Sequence, residues 1–247
     1  MGKKSNAAVP NHQPPRPGDA PTPWQKLTYP IAQRYDREYR GQAFDLPAEV
    51  EAMAIFQDWA SGKLQNQTAS PFWDLYQPKK NQVWLDIGCG LSFLIYPWRD
   101  WNASFYGQDV SSFVCEVLRS RGPQLNSKLF KGVQLGGGHQ LPYPDQSFDG
   151  IVATGWSGYF DVDYWAQVFP AMKRVLKPGG TVLLDIVNPA NELAEDWAIL
   201  ETYLGAEVIL QSLEEWHQQI KSWGGKIVKT REGKLFNLYL IRFPAVA

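Results

Sequence analysis

Residues 83–92 read VWLDIGCGLS, and the order of residue types in this stretch decides the fold. Val83 to Ile87 is a short run of β-branched, aromatic and aliphatic residues with one acid, Asp86, near its end, which is the composition of a buried strand. Gly88 and Gly90 then stop it. Glycines at the carboxyl end of a strand let backbone N–H groups come close to a ligand, and a helix starting just beyond aims its positive end at the same place. With the negative charge of Asp86 beside it, the turn suits a ligand that carries both anionic and cationic parts. A glycine pair is also what an ordinary turn looks like, and Phe93 stands where a dinucleotide fingerprint would have its third glycine.

A second acid lifts the stretch above chance. Ala103 to Val110, ASFYGQDV, reads as another short strand ending in Asp109, 23 residues after Asp86. In nucleotide-binding βαβ units an acid about 20 residues past the glycine turn meets the ribose hydroxyls, because the second parallel strand ends beside the first. Downstream, Leu129 to Leu135 reads as a third strand. It runs into the turn Gly136-Gly137-Gly138-His139-Gln140. Phe148 to Thr154 reads as a fourth strand and Thr181 to Val187 as a fifth. Ligands of an open α/β sheet lie beyond the carboxyl ends of the strands, so Thr154, Gly155 and Trp156 face cofactor and substrate.

The segments DIGCGLS, GQDVS, LPYPDQSFDGIVATG and RVLKPGGTVLLDI follow one another from about Tyr35 to Phe243 with consistent spacing. Together they resemble the class I S-adenosylmethionine-dependent methyltransferases, particularly the branch similar to ubiquinone and menaquinone biosynthesis methyltransferases. The resemblance implies a single α/β, Rossmann-like doubly wound sheet, mostly parallel, with an antiparallel C-terminal hairpin and strand order 3-2-1-4-5-7-6. It also implies a helical N-terminal lid over the cofactor cleft, S-adenosyl-L-methionine as cofactor, and methyl transfer as the activity. On this reading Asp86 and the Gly88-Cys89-Gly90 backbone hold the methionine end. Asp109 and Val110 take the ribose side, Gly138 and His139 the adenine edge, and Thr154 the far wall. Two positions depart from the family pattern: Ser92 replaces a third glycine, and Gly137 replaces an acid that accepts from the adenine amino group.

Composition sets the rest of the frame. The chain has 247 residues, is 44% hydrophobic and 14% aromatic, and carries a net charge of −1, enough for one sizeable core and without the basic stripe of a nucleic-acid binder. Cys89 and Cys115 make no spaced metal pattern, which fits a reduced, cytoplasmic chain. Residues 1–24 are rich in proline and small polar residues and read as a disordered tail. No stretch is long and apolar enough to span a bilayer. The domain expected over 25–247 divides into an N-terminal helical region, 25–80, and a core, 81–247.

In the N-terminal region Pro47 opens a helix through Val50, Met53, Ala54 and Trp59. The charged run Arg34, Asp36, Arg37, Glu38, Arg40 reads as a solvated face, and Gln65 to Pro71 as a loop. Leu91 to Trp98 reads as the first crossover helix, Phe113 to Arg121 as one ended by Gly122-Pro123, Leu213 to Trp223 as another, and the residues after Lys226 as a hairpin. The aromatic cluster Trp156, Tyr159, Phe160, Tyr164, Trp165 is read half as core and half as the lining of an apolar or aromatic substrate pocket that also faces the sulfonium. Within it Trp156 and Tyr159, together with Tyr35 upstream, are the substrate-side candidates. No residue stands out as a general base, with His139 and His217 as weak candidates. Two other functions stay open: a cofactor-binding regulatory or assembly module without catalysis, and a nucleotide-dependent oxidoreductase, against which Phe93 argues. The oligomeric state is not legible.

Overall fold

The structure is a computed structural model that describes residues 22–126 and 128–244. The expected N-terminal tail lies outside the described residues up to position 21, and Pro23 and Trp24 already belong to a helix. The helices are α1 (Pro23–Tyr39), α2 (Ala48–Glu51), α3 (Ala54–Ala60), α4 (Lys63–Thr68), α5 (Trp98–Trp101), α6 (Ser112–Asn126), α7 (Val162–Val175), α8 (Ala194–Leu204) and α9 (Leu213–Ser222). The strands are β1 (Val83–Ile87), β2 (Ser104–Asp109), β3 (Phe130–Leu135), β4 (Phe148–Ala153), β5 (Leu176–Val187), β6 (Lys226–Arg231) and β7 (Phe236–Arg242).

These strands form one sheet in the order β3-β2-β1-β4-β5-β7-β6. It is parallel from β3 to β5, and β7 runs antiparallel to both β5 and β6. The central strands are covered on both faces, which is why they read as continuous apolar runs rather than alternating ones. One face buries Leu85, Ile87, Ile151, Val182 and Leu184 against α7, α8 and α9. The other buries Trp84, Phe105, Val152 and Leu183 with Phe93, Trp98, Trp101 and the α6 residues Val114 and Leu118.

Several local elements differ from the sequence expectations for identifiable reasons. Leu91–Ile95 is a 3-10 turn, not a helix, because Pro97 interrupts it and Phe93 turns inward onto Trp98, 4.7 Å between ring centroids. The helix expected after Pro47 is two pieces, since Met53 takes an extended conformation, ψ 142°, between them. Residues read as a loop include α4, which Leu64 anchors in the core. Helix α6 does not end at Gly122. The Phe130 ring lies where a side chain would sit, 2.7 Å from the position of a Cβ, so glycine there serves close packing rather than termination.

Helix α1 sets the N-terminal region against the sheet's ligand end. Thr22 and Gln25 form a capping box at its start. Asp36 near its end accepts from the hydroxyls of Ser111 and Ser112 and from the Phe113 amide, at the N-terminus of α6. A carboxylate at that position satisfies orphan amides and meets the positive end of the helix. The charged run is therefore not a uniformly solvated face: Arg34 is 3% exposed, and Asp36 is a docking contact.

Candidate functional site

A cavity of about 800 Å³ opens at the carboxyl ends of β1, β2, β4 and β5, roofed by residues of α1, α3, α4 and α8. Its floor is the glycine turn. Gly88 and Gly90 have φ of +69° and +51°, values that favour glycine. The Asp109 carboxylate accepts from the Gly90 amide at 2.8 Å and from the Ser111 amide at 2.8 Å, which ties the end of β2 to the turn after β1. Burial pushes the Asp109 carboxyl up to about 6, and the Ser111 and Gly90 amides work against that rise. Four lone-pair sites against the amides of Ser111, Gly90 and Val110 leave this carboxylate room to accept a further hydroxyl.

Asp86 stands behind the turn rather than on the cavity wall. It is 1% exposed, its Oδ2 has no hydrogen-bond partner, and the Tyr96 hydroxyl bonds to the carboxyl. Burial raises its pKa well above the ordinary carboxylate value.

Trp156 joins the two cofactor-side turns. Its indole N–H donates to the Ile87 carbonyl at 2.8 Å, and its ring stacks on Trp165 with centroids 4.4 Å apart. A Cβ on Gly88 would lie 2.5 Å from Trp156 Cδ1, and one on Gly138 would lie 3.1 Å from Trp156 Cη2. The indole thus spans from one turn to the other; its approach requires glycine at 88, and a side chain at 138 would need it to give by a few tenths of an ångström. Trp156 lines the cavity, but its polar edge is occupied within the protein.

The turn at residues 136–140 differs from the sequence reading. Gly138 lines the cavity, whereas His139 does not. Its Nδ1 is 3.2 Å from the Tyr164 hydroxyl, its ring packs against Trp24, and its Nε2 is buried without a partner. Burial lowers the His139 pKa. The amides of Gly138 and His139 turn to the Tyr164 hydroxyl rather than to open space. A side chain at position 137 would place its Cβ 2.7 Å from that same hydroxyl and 2.9 Å from His139 Nδ1, so a larger residue there needs a shift of one of them.

The remaining expected residues converge. Cys89, Val110, Thr154, Tyr35 and Tyr159 all line the cavity, and the hydroxyls of Tyr35 and Tyr159 are 2.8 Å apart. His217 packs edge-on against Tyr239, away from this space.

Asp185 and Glu201, which the sequence reading did not name, also face the cavity, as does Arg34, which it placed on a solvated face. Asp185, on β5, is fully buried and accepts from the Gly155 amide at 2.9 and 3.0 Å and from Ser70. Burial pushes its carboxyl up to about 7, against the pull of those two donors. Arg34 Nε and Nη2 each lie 2.7 Å from a Glu201 oxygen, and Arg34 Nη1 meets Glu38. Burial works against the Arg34 charge, and Glu201, Tyr35, Tyr159 and Glu38 together more than offset it, so the guanidinium stays protonated. An acid inside the apolar run TVLLDIV, 181–187, was the available signal for Asp185. For Arg34 it was the shared helical face of Ile31, Arg34, Tyr35 and Glu38.

Residues 85–184 match the family model described as "Methyltransferase domain". Among curated proteins, the 2-phytyl-1,4-naphtoquinone methyltransferase of Synechococcus elongatus is 33% identical over 129 residues, 51% of this chain and 54% of that protein. The demethylmenaquinone methyltransferase of Symbiobacterium thermophilum is 29% identical over 175 residues, 70% of this chain and 62% of that protein. The chain thus spans about half the length of the first of these and under two thirds of the second. Among solved structures, the geranyl diphosphate C-methyltransferase of Streptomyces coelicolor A3(2) superposes with a TM-score of 0.63 at 13% identity, covering 92% of this chain and 100% of that one. That likeness supports the fold. With the glycine turn, the acid closing β2 and this match in place, residues 85–184 are similar to the methyltransferase domain family and to the methyltransferases named above.

Proposed function

We propose that this chain transfers the methyl group of S-adenosyl-L-methionine to a small molecule with an apolar or aromatic part, held in the cavity above the glycine turn. One observation carries the reading: Asp109, on the cavity wall at the end of β2, is tied at 2.8 Å to the Gly90 amide. That arrangement suits a carboxylate presented to ribose hydroxyls beside a turn open to the methionine end.

When bound, the cofactor supplies an electrophilic methyl group on a sulfonium. The methionine end lies against Gly88, Cys89 and Gly90, with the Asp86 carboxyl buried behind that turn. Asp109 and Val110 hold the ribose, and Gly138 with the Tyr164 hydroxyl meets the adenine edge. Thr154 closes the wall, with Tyr35, Trp156 and Tyr159 toward the acceptor. In-line displacement depends on aligning the nucleophile with the methyl carbon, so positioning and exclusion of water are the protein's main contributions.

Support for the acceptor class comes from the aromatic residues Trp59, Trp73 and Trp197 on the wall, and from relatives whose names denote quinone methylation. The cavity volume of about 800 Å³ is that of a small-molecule site. No helix among the described residues is long and apolar enough to cross a membrane, and the two free cysteines fit a cytoplasmic setting.

Calorimetric titration of S-adenosylmethionine and S-adenosylhomocysteine tests the reading. Both bind the wild type, and Asp109→Ala weakens them about tenfold or more, about 1.4 kcal/mol. Absence of binding by either ligand to the wild type overturns it.

A further inference from the structure

The polar wall of the cavity is unbalanced in charge. Its lining contains four carboxylates, Glu38, Asp109, Asp185 and Glu201, and among the described lining residues Arg34 is the one cation. Asp109 belongs to the ribose side on the reading above. What is left around the acceptor is three carboxylates against one guanidinium.

That guanidinium is already committed. Two of its nitrogens hold Glu201 at 2.7 Å each, the third meets Glu38, and its carbon lies 4.2 Å from the centre of the Tyr35 ring. An anionic acceptor entering here would lose its water and find no free cation, while facing carboxylates of its own sign. A cation meets the opposite situation. It finds carboxylates on one side, and the ring faces of Trp59, Trp73, Tyr159 and Trp197 line the same space.

Asp185 differs from the other two acids. Glu38 and Glu201 share Arg34, whereas Asp185 makes no ion pair among the described residues. It faces the Gly155 amide from the end of β4, the Ser70 hydroxyl from the segment before β1, and Tyr96 from the turn after β1. A carboxylate so placed retains lone pairs and an unmatched charge at the carboxyl end of β5, where ligands of an open sheet lie.

Resting on the methyl-transfer reading, we propose that the acceptor end of this cavity takes an amine carried on an apolar or aromatic group, and that Asp185 is the carboxylate its nitrogen meets. Carboxylate and phosphate acceptors are excluded by the same wall.

The test uses the full chain saturated with S-adenosylhomocysteine, titrated calorimetrically at pH 8 with three probes of one skeleton. These are phenethylamine, 2-phenylethanol and 3-phenylpropanoate, a cation, a neutral molecule and an anion. The amine binds about tenfold or more tighter than the anion. Asp185→Asn, which keeps an acceptor for the Gly155 amide, removes most of that preference and leaves the alcohol within about twofold. Glu201→Gln also weakens the amine; should it fail to fold with Arg34 left unmatched, Asp185→Asn decides alone. Equal or tighter binding of 3-phenylpropanoate overturns the proposal while leaving the cofactor reading intact. An equal loss of amine and alcohol in Asp185→Asn overturns the role given to Asp185. Failure of S-adenosylhomocysteine to bind the wild type removes the cofactor reading and this inference with it.

Discussion

Replacing Asp185 by asparagine makes the protein more stable at neutral and alkaline pH, by an amount that grows with pH. In the folded chain this carboxyl is fully buried and titrates near 7, against an ordinary value of 3.8. A folded-state pKa above the unfolded one means that the native state holds the proton more tightly. The stability this contributes is complete below pH 3.8 and is lost progressively as pH rises to about 7. The difference of about 3 units corresponds to about 4 kcal/mol, all of it absent by pH 8. Asparagine retains the shape and an oxygen for the Gly155 amide but never ionises. Urea unfolding followed by tryptophan fluorescence measures the effect. At a slope of about 3 kcal/mol per molar, the Asp185→Asn midpoint exceeds the wild type by about 1 M at pH 8, and the two converge toward pH 4. A variant less stable than wild type at pH 8, or a difference that does not change between pH 5 and 8, refutes the reasoning.

Other consequences follow from the same geometry. Gly88→Ala brings a Cβ to 2.5 Å from Trp156 Cδ1 at a φ of +69°, so calorimetry finds cofactor affinity reduced at least tenfold, and thermal unfolding shows a lower midpoint. Glu201→Ala leaves Arg34 buried beside Glu38 alone and costs about 3–5 kcal/mol of stability in urea unfolding. Trp156→Phe keeps stacking on Trp165 but removes the N–H donated to Ile87, and weakens S-adenosylhomocysteine by about fivefold to tenfold in the same titration, about 1 kcal/mol.

The sheet was legible because each central strand announces itself by an apolar run ending in glycine or an acid, as VWLDIG and ASFYGQD do. Strand order was legible only through resemblance, since spacing alone does not say which strand sits beside which. The glycine turn and Asp109 were legible together because their separation of roughly 20 residues has a geometric cause. Helix α4, KLQNQT, was not, having no apolar period beyond Leu64. Neither was the passage of α6 through Gly122 and Pro123, where packing on Phe130 overrides local propensity. At the turn 136–140 the sequence displayed glycine where the resembled family has an acid. The Tyr164 hydroxyl that crowds this position arrives from α7, 27 positions further on, and leaves no local mark.

The buried charges of the cavity show why such residues are hard to read and what they are for. Arg34 sits in a run whose neighbours Arg37 and Arg40 point outward, and only the meeting of α1 with α8, 167 positions apart, turns it into half of a bidentate pair with Glu201. Removing either partner there destabilises, because each charge is compensated by the other. Asp185 is held by an amide and a hydroxyl alone, and removing its charge stabilises. Two buried acids on the same wall therefore respond to substitution with opposite signs. The sign separates a charge that the fold has matched from one that it has left unmatched. A positively charged nitrogen bound at Asp185 supplies the missing partner and returns the lost stability as binding energy. Phenethylamine therefore raises the unfolding midpoint of the wild type more at pH 8 than at pH 5, and Asp185→Asn abolishes that difference.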